Sequence, residues 1–177
     1  MSYKKYTIKD VKHFAANCHS GQMYGKKPYV THLDDVYNIA KRFTDDKDIL
    51  TACYLHDVLE DTNCTYKALV LMFGENVAEI VYAVTDEMGR DRKERKEKTY
   101  PKIAKHEKAI TLKVCDRIAN VMATLKGGFW EKSNLKKYIM YEEEHKVFCE
   151  KLKLSNNSKL KVHCELFKEL DYNFPSI

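Results

Sequence analysis

Chain breakers are scarce. The 177 residues include six glycines and three prolines, which excludes a collagen-like repeat and leaves no Pro- or Gly-rich linker at which to divide the chain. No apolar run approaches the roughly 18 residues a membrane span requires, and the opening segment MSYKKYTIKDVK has no apolar signal-peptide core. An excess of one charge is also missing: 31 Lys and Arg against 26 Asp and Glu give +5 with both signs interspersed, so nucleic-acid binding is not implied. The six cysteines show no CxxC pairing, and Cys53 and Cys115 lie in apolar segments, where a reduced cysteine packs as a small core residue. The expected setting is cytoplasmic, where the sequons Asn63-Cys64-Thr65 and Asn156-Asn157-Ser158 carry no weight. No membrane or nucleic-acid partner is expected, and oligomeric state is left open.

What is present is 44% hydrophobic residues, enough for the core of one domain spanning residues 1–177. Their spacing is mostly 3.6-like, which predicts an all-α bundle with no strand. A first helix is expected over Ile8 to Cys18, followed by a loop from His19-Ser20-Gly21 through Pro28. Thr31-His32-Leu33-Asp34 has the form of a capping box and puts His32 at the first helical position. Asp48 to about Leu59 is apolar nearly all round and predicts the buried central helix. Further helices are expected over Thr65 to Phe73, ending at Gly74, and over Val77 to Val84. Residues 86–98, with six basic and five acidic side chains, read as a solvated loop or helix face. Ile110 to Leu125 is helical, Gly127-Gly128 breaks it, and amphipathic helices follow at about 131–152 and 156–170.

Chemistry concentrates in Tyr54-Leu55-His56-Asp57-Val58-Leu59-Glu60-Asp61. Four ionisable groups stand at the end of a helix otherwise buried, and three of them are carboxylates opposing the negative end of its macrodipole. A bound cation repairs both faults. On one continuous helix His56 and Glu60 are i,i+4 neighbours, as are Asp57 and Asp61, so one turn can offer His56 and Asp57 to a metal and Glu60 and Asp61 to whatever the metal binds. Further ligands must come from elsewhere, and His32 and Asp116 are the candidates. Asp116 shares a helical stripe with Asn120 and Thr124, but Lys113 lies on it too, so periodicity leaves a solvent face and a site face equally open.

Gly21-Gln22, Pro28-Tyr29-Val30-Thr31-His32, Leu55-His56-Asp57-Val58-Leu59-Glu60-Asp61-Thr62, Phe73-Gly74 and Cys115-Asp116-Arg117-Ile118-Ala119-Asn120 together resemble the HD-superfamily hydrolase domain of RelA/SpoT proteins. Order and spacing match over roughly residues 8–150, and the length is similar to the stand-alone small alarmone hydrolases of the metazoan SpoT-homologue type. The resemblance implies one Mn²⁺ held by His32, His56, Asp57 and Asp116, a ligand set suited to a borderline-hard divalent ion with positions left for water and phosphate. It also implies that Glu60 and Asp61 serve the hydrolytic water and that Asn120 touches the nucleotide. The reaction so implied removes the 3′-pyrophosphate of guanosine tetra- or pentaphosphate (ppGpp or pppGpp), with no synthetase activity. The alternatives are a metal-dependent nucleotide phosphatase acting on NADPH or another nucleotide, and a non-catalytic nucleotide-sensing module.

One loop departs from the resembled pattern. That family usually reads Gly-Gln-x-Arg-x-x-Gly-x-Pro-Tyr, whereas this chain has Gly21-Gln22-Met23-Tyr24-Gly25-Lys26-Lys27-Pro28-Tyr29, one residue shorter. Tyr24 replaces the Arg that resembles a base-stacking group, and Lys26 or Lys27 is the candidate for the lost charge. The Thr that often follows the Asn by three residues is Ala123 here, with Thr124 beside it. Lys96 is the candidate from the charged segment for a distal phosphate.

Overall fold

The computed structural model describes residues 6–126, 132–153 and 161–172. The expected break at Gly127-Gly128 and the expected start of the last helix at 156 lie outside these, as does the sequon at 156–158. Helices dominate. The first, α1 (Ile8–Cys18), starts at a reciprocal capping box: the Asp10 amide donates to Thr7 Oγ1, and the Thr7 amide to Asp10 Oδ2 at 2.8 Å. A two-residue antiparallel hairpin follows, β1 (Met23–Tyr24) against β2 (Lys27–Pro28), where no strand is expected from periodicity. Gly25, at φ +62°, takes the left-handed conformation its turn requires.

Helix α2 (Val30–Lys41) begins two residues early and without the expected capping box. Asp34, the residue that would have closed the box, is drawn away by tertiary partners: it accepts from Lys12 Nζ at 2.8 Å and from the Tyr54 hydroxyl at 2.9 Å. Thr31 instead donates to the Pro28 carbonyl. His32 thus sits in the first turn, as required of a ligand at a helix start.

The central helix is shorter than the sequence predicts. Helix α3 (Lys47–Leu55), capped by the Asp46 carboxylate, stops at a turn formed by His56 and Asp57, and a separate single turn, α4 (Val58–Asp61), follows. The i,i+4 pairing expected of His56 with Glu60 and of Asp57 with Asp61 therefore does not come from one continuous helix. The apolar pattern runs through the break because Leu55 and Val58 are buried on both sides of it.

Next, α5 (Tyr66–Phe73) is capped by Thr65 and ends at Gly74 with φ +92°, and α6 (Glu75–Val84) turns its Val77, Ile80, Val81 and Val84 inward. The charged segment divides: its second half opens α7 (Arg92–Ile103), capped by Asp91. Arg90, Glu94 and Lys98 form the solvated face expected there, whereas Lys96 faces inward with a side chain 13% exposed. Long α8 (Glu107–Lys126) is buried along most of its length and packs on α2, α3, α6, α7, α9 (Lys132–Lys153) and α10 (Lys161–Tyr172). Cys53 and Cys115 are fully buried in one continuous apolar cluster that joins α1 through α10.

Candidate active site

Three segments deliver four side chains to one point: His32 from the first turn of α2, His56 and Asp57 from the turn that ends α3, and Asp116 from the middle of α8. His56 Nε2 is 2.9 Å from Asp57 Oδ2 and 3.6 Å from Asp116 Oδ1. His32 Nε2 is 3.3 Å from Asp116 Oδ1 and 3.9 Å from Asp57 Oδ2. His32, His56 and Asp57 form a group that could hold a metal ion, with Asp116 beside both imidazoles. The open question over the α8 stripe is answered by burial: Asp116 and Thr124 are buried, and Lys113 is nearly so, with its Nζ on Asp116 Oδ2 at 2.8 Å.

His56 fits a metal on its own geometry. Its Nδ1 lies 2.9 Å from the Cys53 carbonyl, which only an N–H can approach, so in the neutral ring it is Nε2 that carries the lone pair. That Nε2 is buried without a hydrogen-bonding partner and points toward two carboxylates. Lone pairs facing one another at 2.9 Å repel unless a proton or a cation stands between them. Burial works against charge on His56, but the Asp57 and Asp116 carboxylates outweigh it and raise the pKa. Burial likewise opposes ionisation of Asp116, and Lys113 with the two imidazoles holds it well below the usual carboxylate range. Asp57 is lowered against burial by His56 first and His32 second.

A second layer fixes these groups. The Tyr29 hydroxyl donates to Asp57 Oδ2, and Asn120 Nδ2 donates to Asp116 Oδ1 at 2.6 Å. Tyr24 donates to Asn120 Oδ1 at 2.9 Å, and its ring stacks on His32 with centroids 4.7 Å apart. Glu60 and Asp61 stand at the end of α4, one turn past Asp57. Glu60 accepts from the Asp86 amide, and burial raises its pKa against the pull of Lys113. Asp61 accepts from Gln22 Nε2 at 2.8 Å, and Gln22 Oε1 in turn meets His19 Nδ1 at 2.7 Å.

Beside His32, Asp57 and Asp116 opens a cleft of about 190 Å³ whose far wall is basic. Arg92 and Arg117 share the Glu144 carboxylate, at 2.5 and 3.1 Å respectively, and the two guanidiniums leave a net positive charge on that trio. Lys96 lines the same wall and is paired with Asp86 at 2.8 Å; burial, with Lys113 nearby, lowers its pKa. Tyr100, Tyr141 and Phe148 supply aromatic surface.

The HD domain family profile matches residues 12–126, about two thirds of the chain. The chain belongs to the HD domain family. Among relatives of this HD domain is the guanosine-3′,5′-bis(diphosphate) 3′-pyrophosphohydrolase MESH1 of Xenopus tropicalis, 32% identical over 155 residues, which are 81% of this chain and 85% of that one. The bifunctional (p)ppGpp synthase/hydrolase SpoT of Escherichia coli is 35% identical over 115 residues, 60% of this chain but 16% of SpoT. A solved structure of a metazoan SpoT orthologue, described as hydrolysing ppGpp, superposes with a TM-score of 0.72 at 24% identity over 98% of this chain and 97% of its own. At that identity it supports the fold alone.

Within this HD domain His32, His56, Asp57, Asp116, Glu60, Asp61, Lys96 and Asn120 all fall inside the matched segment. Lys26 and Lys27 are exposed on the hairpin and do not contribute to the cleft lining. Arg92 lies in the charged segment from which Lys96 is the candidate, and Tyr29 and Arg117 lie within the motifs without an assigned role; Tyr141 and Glu144 carry no local signal, Glu144 being one of three consecutive glutamates on α9.

Proposed function

We propose that the chain is a divalent-metal phosphohydrolase that removes the 3′-pyrophosphate of ppGpp or pppGpp, with Mn²⁺ as its ion and without synthetase activity. The reading rests on the buried, unpartnered His56 Nε2 aimed at two carboxylates beside a basic cleft. The printed activities of MESH1 and SpoT support the choice of substrate. His32, His56, Asp57 and Asp116 would hold the ion. When bound, it supplies a Lewis acid that makes water more acidic and screens phosphate charge.

The rest is done by the chain's own side chains. The Cys53 carbonyl, Tyr29, Lys113 and Asn120 hold the ligand atoms in orientation. Glu60, with its pKa raised toward the working range, takes a proton from the attacking water, and Asp61, braced by Gln22, orients that water. Attack at the 3′-phosphorus breaks its bond to the ribose oxygen, which takes up a proton; pyrophosphate leaves together with the nucleoside 5′-diphosphate from ppGpp or the 5′-triphosphate from pppGpp. Lys96 and Arg92 meet the pyrophosphate charge, Asn120 and Tyr24 meet the nucleoside, and Lys26 and Lys27 act from the hairpin as a longer-range positive field. The setting is cytoplasmic, a reading supported by the reduced cysteines Cys53 and Cys115 in the core.

The test is a substrate panel with stripped protein re-supplied with Mn²⁺, Mg²⁺ or Zn²⁺. Pyrophosphate released from ppGpp, fastest with Mn²⁺, is the expected result. Orthophosphate from NADPH, released faster than pyrophosphate from ppGpp, would assign the cleft to the nucleotide-phosphatase reading. Binding of ppGpp without turnover would make it a sensor.

A further inference from the structure

Away from the cleft, α9 and α10 bring together three donors that the proposed hydrolysis does not use. His145 and Cys149 are one helical turn apart on α9, and Asp171 comes from the last turn of α10. His145 Nε2 lies 3.0 Å from Asp171 Oδ1, Cys149 Sγ lies 3.6 Å from His145 Nε2, and Sγ lies 3.9 Å from Asp171 Oδ1. Bond lengths of about 2.0–2.1 Å to nitrogen, 2.0–2.2 Å to oxygen and 2.3 Å to sulfur set the edges of a tetrahedron around zinc at about 3.3 Å for N to O and 3.5–3.6 Å where sulfur takes part. The three observed separations lie within a few tenths of an ångström of those edges, while Sγ also stands 3.6 Å from His145 Nδ1, so the imidazole must turn to aim one lone pair at the shared ion.

We propose that His145, Cys149 and Asp171 form a second metal site, for a tetrahedral divalent ion of the zinc class. Donor chemistry separates it from the first. A thiolate with an imidazole favours zinc over manganese or magnesium, whereas the sulfur-free group of His32, His56, Asp57 and Asp116 suits a harder ion. The Asp171 side chain is 45% exposed and that of His145 18% exposed, so the ion enters from solvent. Binding releases the Cys149 proton to solvent, which makes affinity rise with pH.

The site would tie α10 to α9, joining Asp171 to a helix whose Glu144 and Tyr141 shape the basic wall of the cleft. An ion there holds the register of α9 against α7 and α8 without touching substrate. Its role is structural, and it stands whether or not the cleft hydrolyses ppGpp.

Cobalt reads the site directly, because a thiolate-to-Co²⁺ charge-transfer band cannot arise from the sulfur-free cluster. The full chain, reduced and stripped with chelator, is titrated with Co²⁺. A band saturating at one equivalent is expected, present in the wild type and in His56→Ala and absent in Cys149→Ser. Asp171→Asn, on an exposed side chain, should need at least about tenfold more Co²⁺ for half-saturation. Zn²⁺ should bleach the band at far lower concentration than Mn²⁺. Circular dichroism checks that Cys149→Ser is folded, and Asp171→Asn carries the test if it is not. No band in the folded wild type, a band that survives Cys149→Ser, an unmoved midpoint in Asp171→Asn, or bleaching by Mn²⁺ as readily as by Zn²⁺ would each overturn the proposal.

Discussion

At one end of the cleft, His32, His56, Asp57 and Asp116 meet at 2.9 to 3.9 Å around a point where like lone pairs converge. At the other, Arg92 and Arg117 close on a single carboxylate, Glu144, and Lys96 on Asp86. The first end is frustrated unless a proton or a cation stands between its groups. The second satisfies most of its charge internally and offers a polyanion only the surplus. Such an asymmetry teaches where function is costly: a site fit for a metal is assembled from groups that destabilise one another, whereas a basic wall can be made of pairs that also hold helices together.

The largest effect should come from emptying the first end. His56→Ala removes the unpartnered nitrogen, so metal content measured by atomic spectroscopy should drop and turnover should fall below detection. Full activity at undiminished metal content would separate the cluster from the chemistry. Next, Glu60→Gln keeps the shape and loses the proton acceptor; turnover should fall by ~10²–10⁴ with the ion retained. A change in metal content instead would make Glu60 a ligand.

The second end breaks more gently. Glu144→Gln leaves two guanidiniums without their carboxylate, a loss of roughly 1–3 kcal/mol of stability, and KM should rise more than kcat falls as Arg92 and Arg117 lose their positions. The variant also tests a pH dependence. Burial alone would raise the Glu144 pKa, but Arg92 and Arg117 outweigh it and hold the folded value below the ordinary 4.5. Its contribution is therefore present above about pH 4.5 and lost as pH falls through the folded value. Thermal melts should show the wild type losing stability over that acid window and Glu144→Gln losing less; parallel curves would remove Glu144 from the account. The smallest effect is expected of Tyr24→Phe, which deletes only the bond to Asn120: about 0.5–1.5 kcal/mol, read as a modest rise in KM. A loss as large as that of His56→Ala would move Tyr24 into the metal end.

The two ends also differ in how far they were legible. His56-Asp57 and Glu60-Asp61 announce themselves because ionisable residues inside an apolar run contradict burial, and the contradiction is local. The helix boundary is not legible there, because continuous apolarity at Leu55 and Val58 hides the turn at His56 and Asp57. The Thr31 capping box failed for a related reason: Asp34 found better partners in Lys12 and Tyr54, remote in sequence. Lys96 was placed among six interchangeable cations, and only the packing of α7 turned it inward while Arg90 and Lys98 stayed in solvent.

By itself, the order of residues determined the helical class, the buried faces and the cluster of ionisable groups at His56-Asp57 and Glu60-Asp61, since periodicity and misplaced charge are properties of short segments. Tertiary structure alone decided which nitrogen of His56 is left bare, which cations line the cleft, and that Glu144, 27 residues beyond Arg117 and 52 beyond Arg92, belongs with them. Those outcomes depend on distances between helices, and a charge that finds its partner across a packed interface leaves no trace in the spacing of its neighbours.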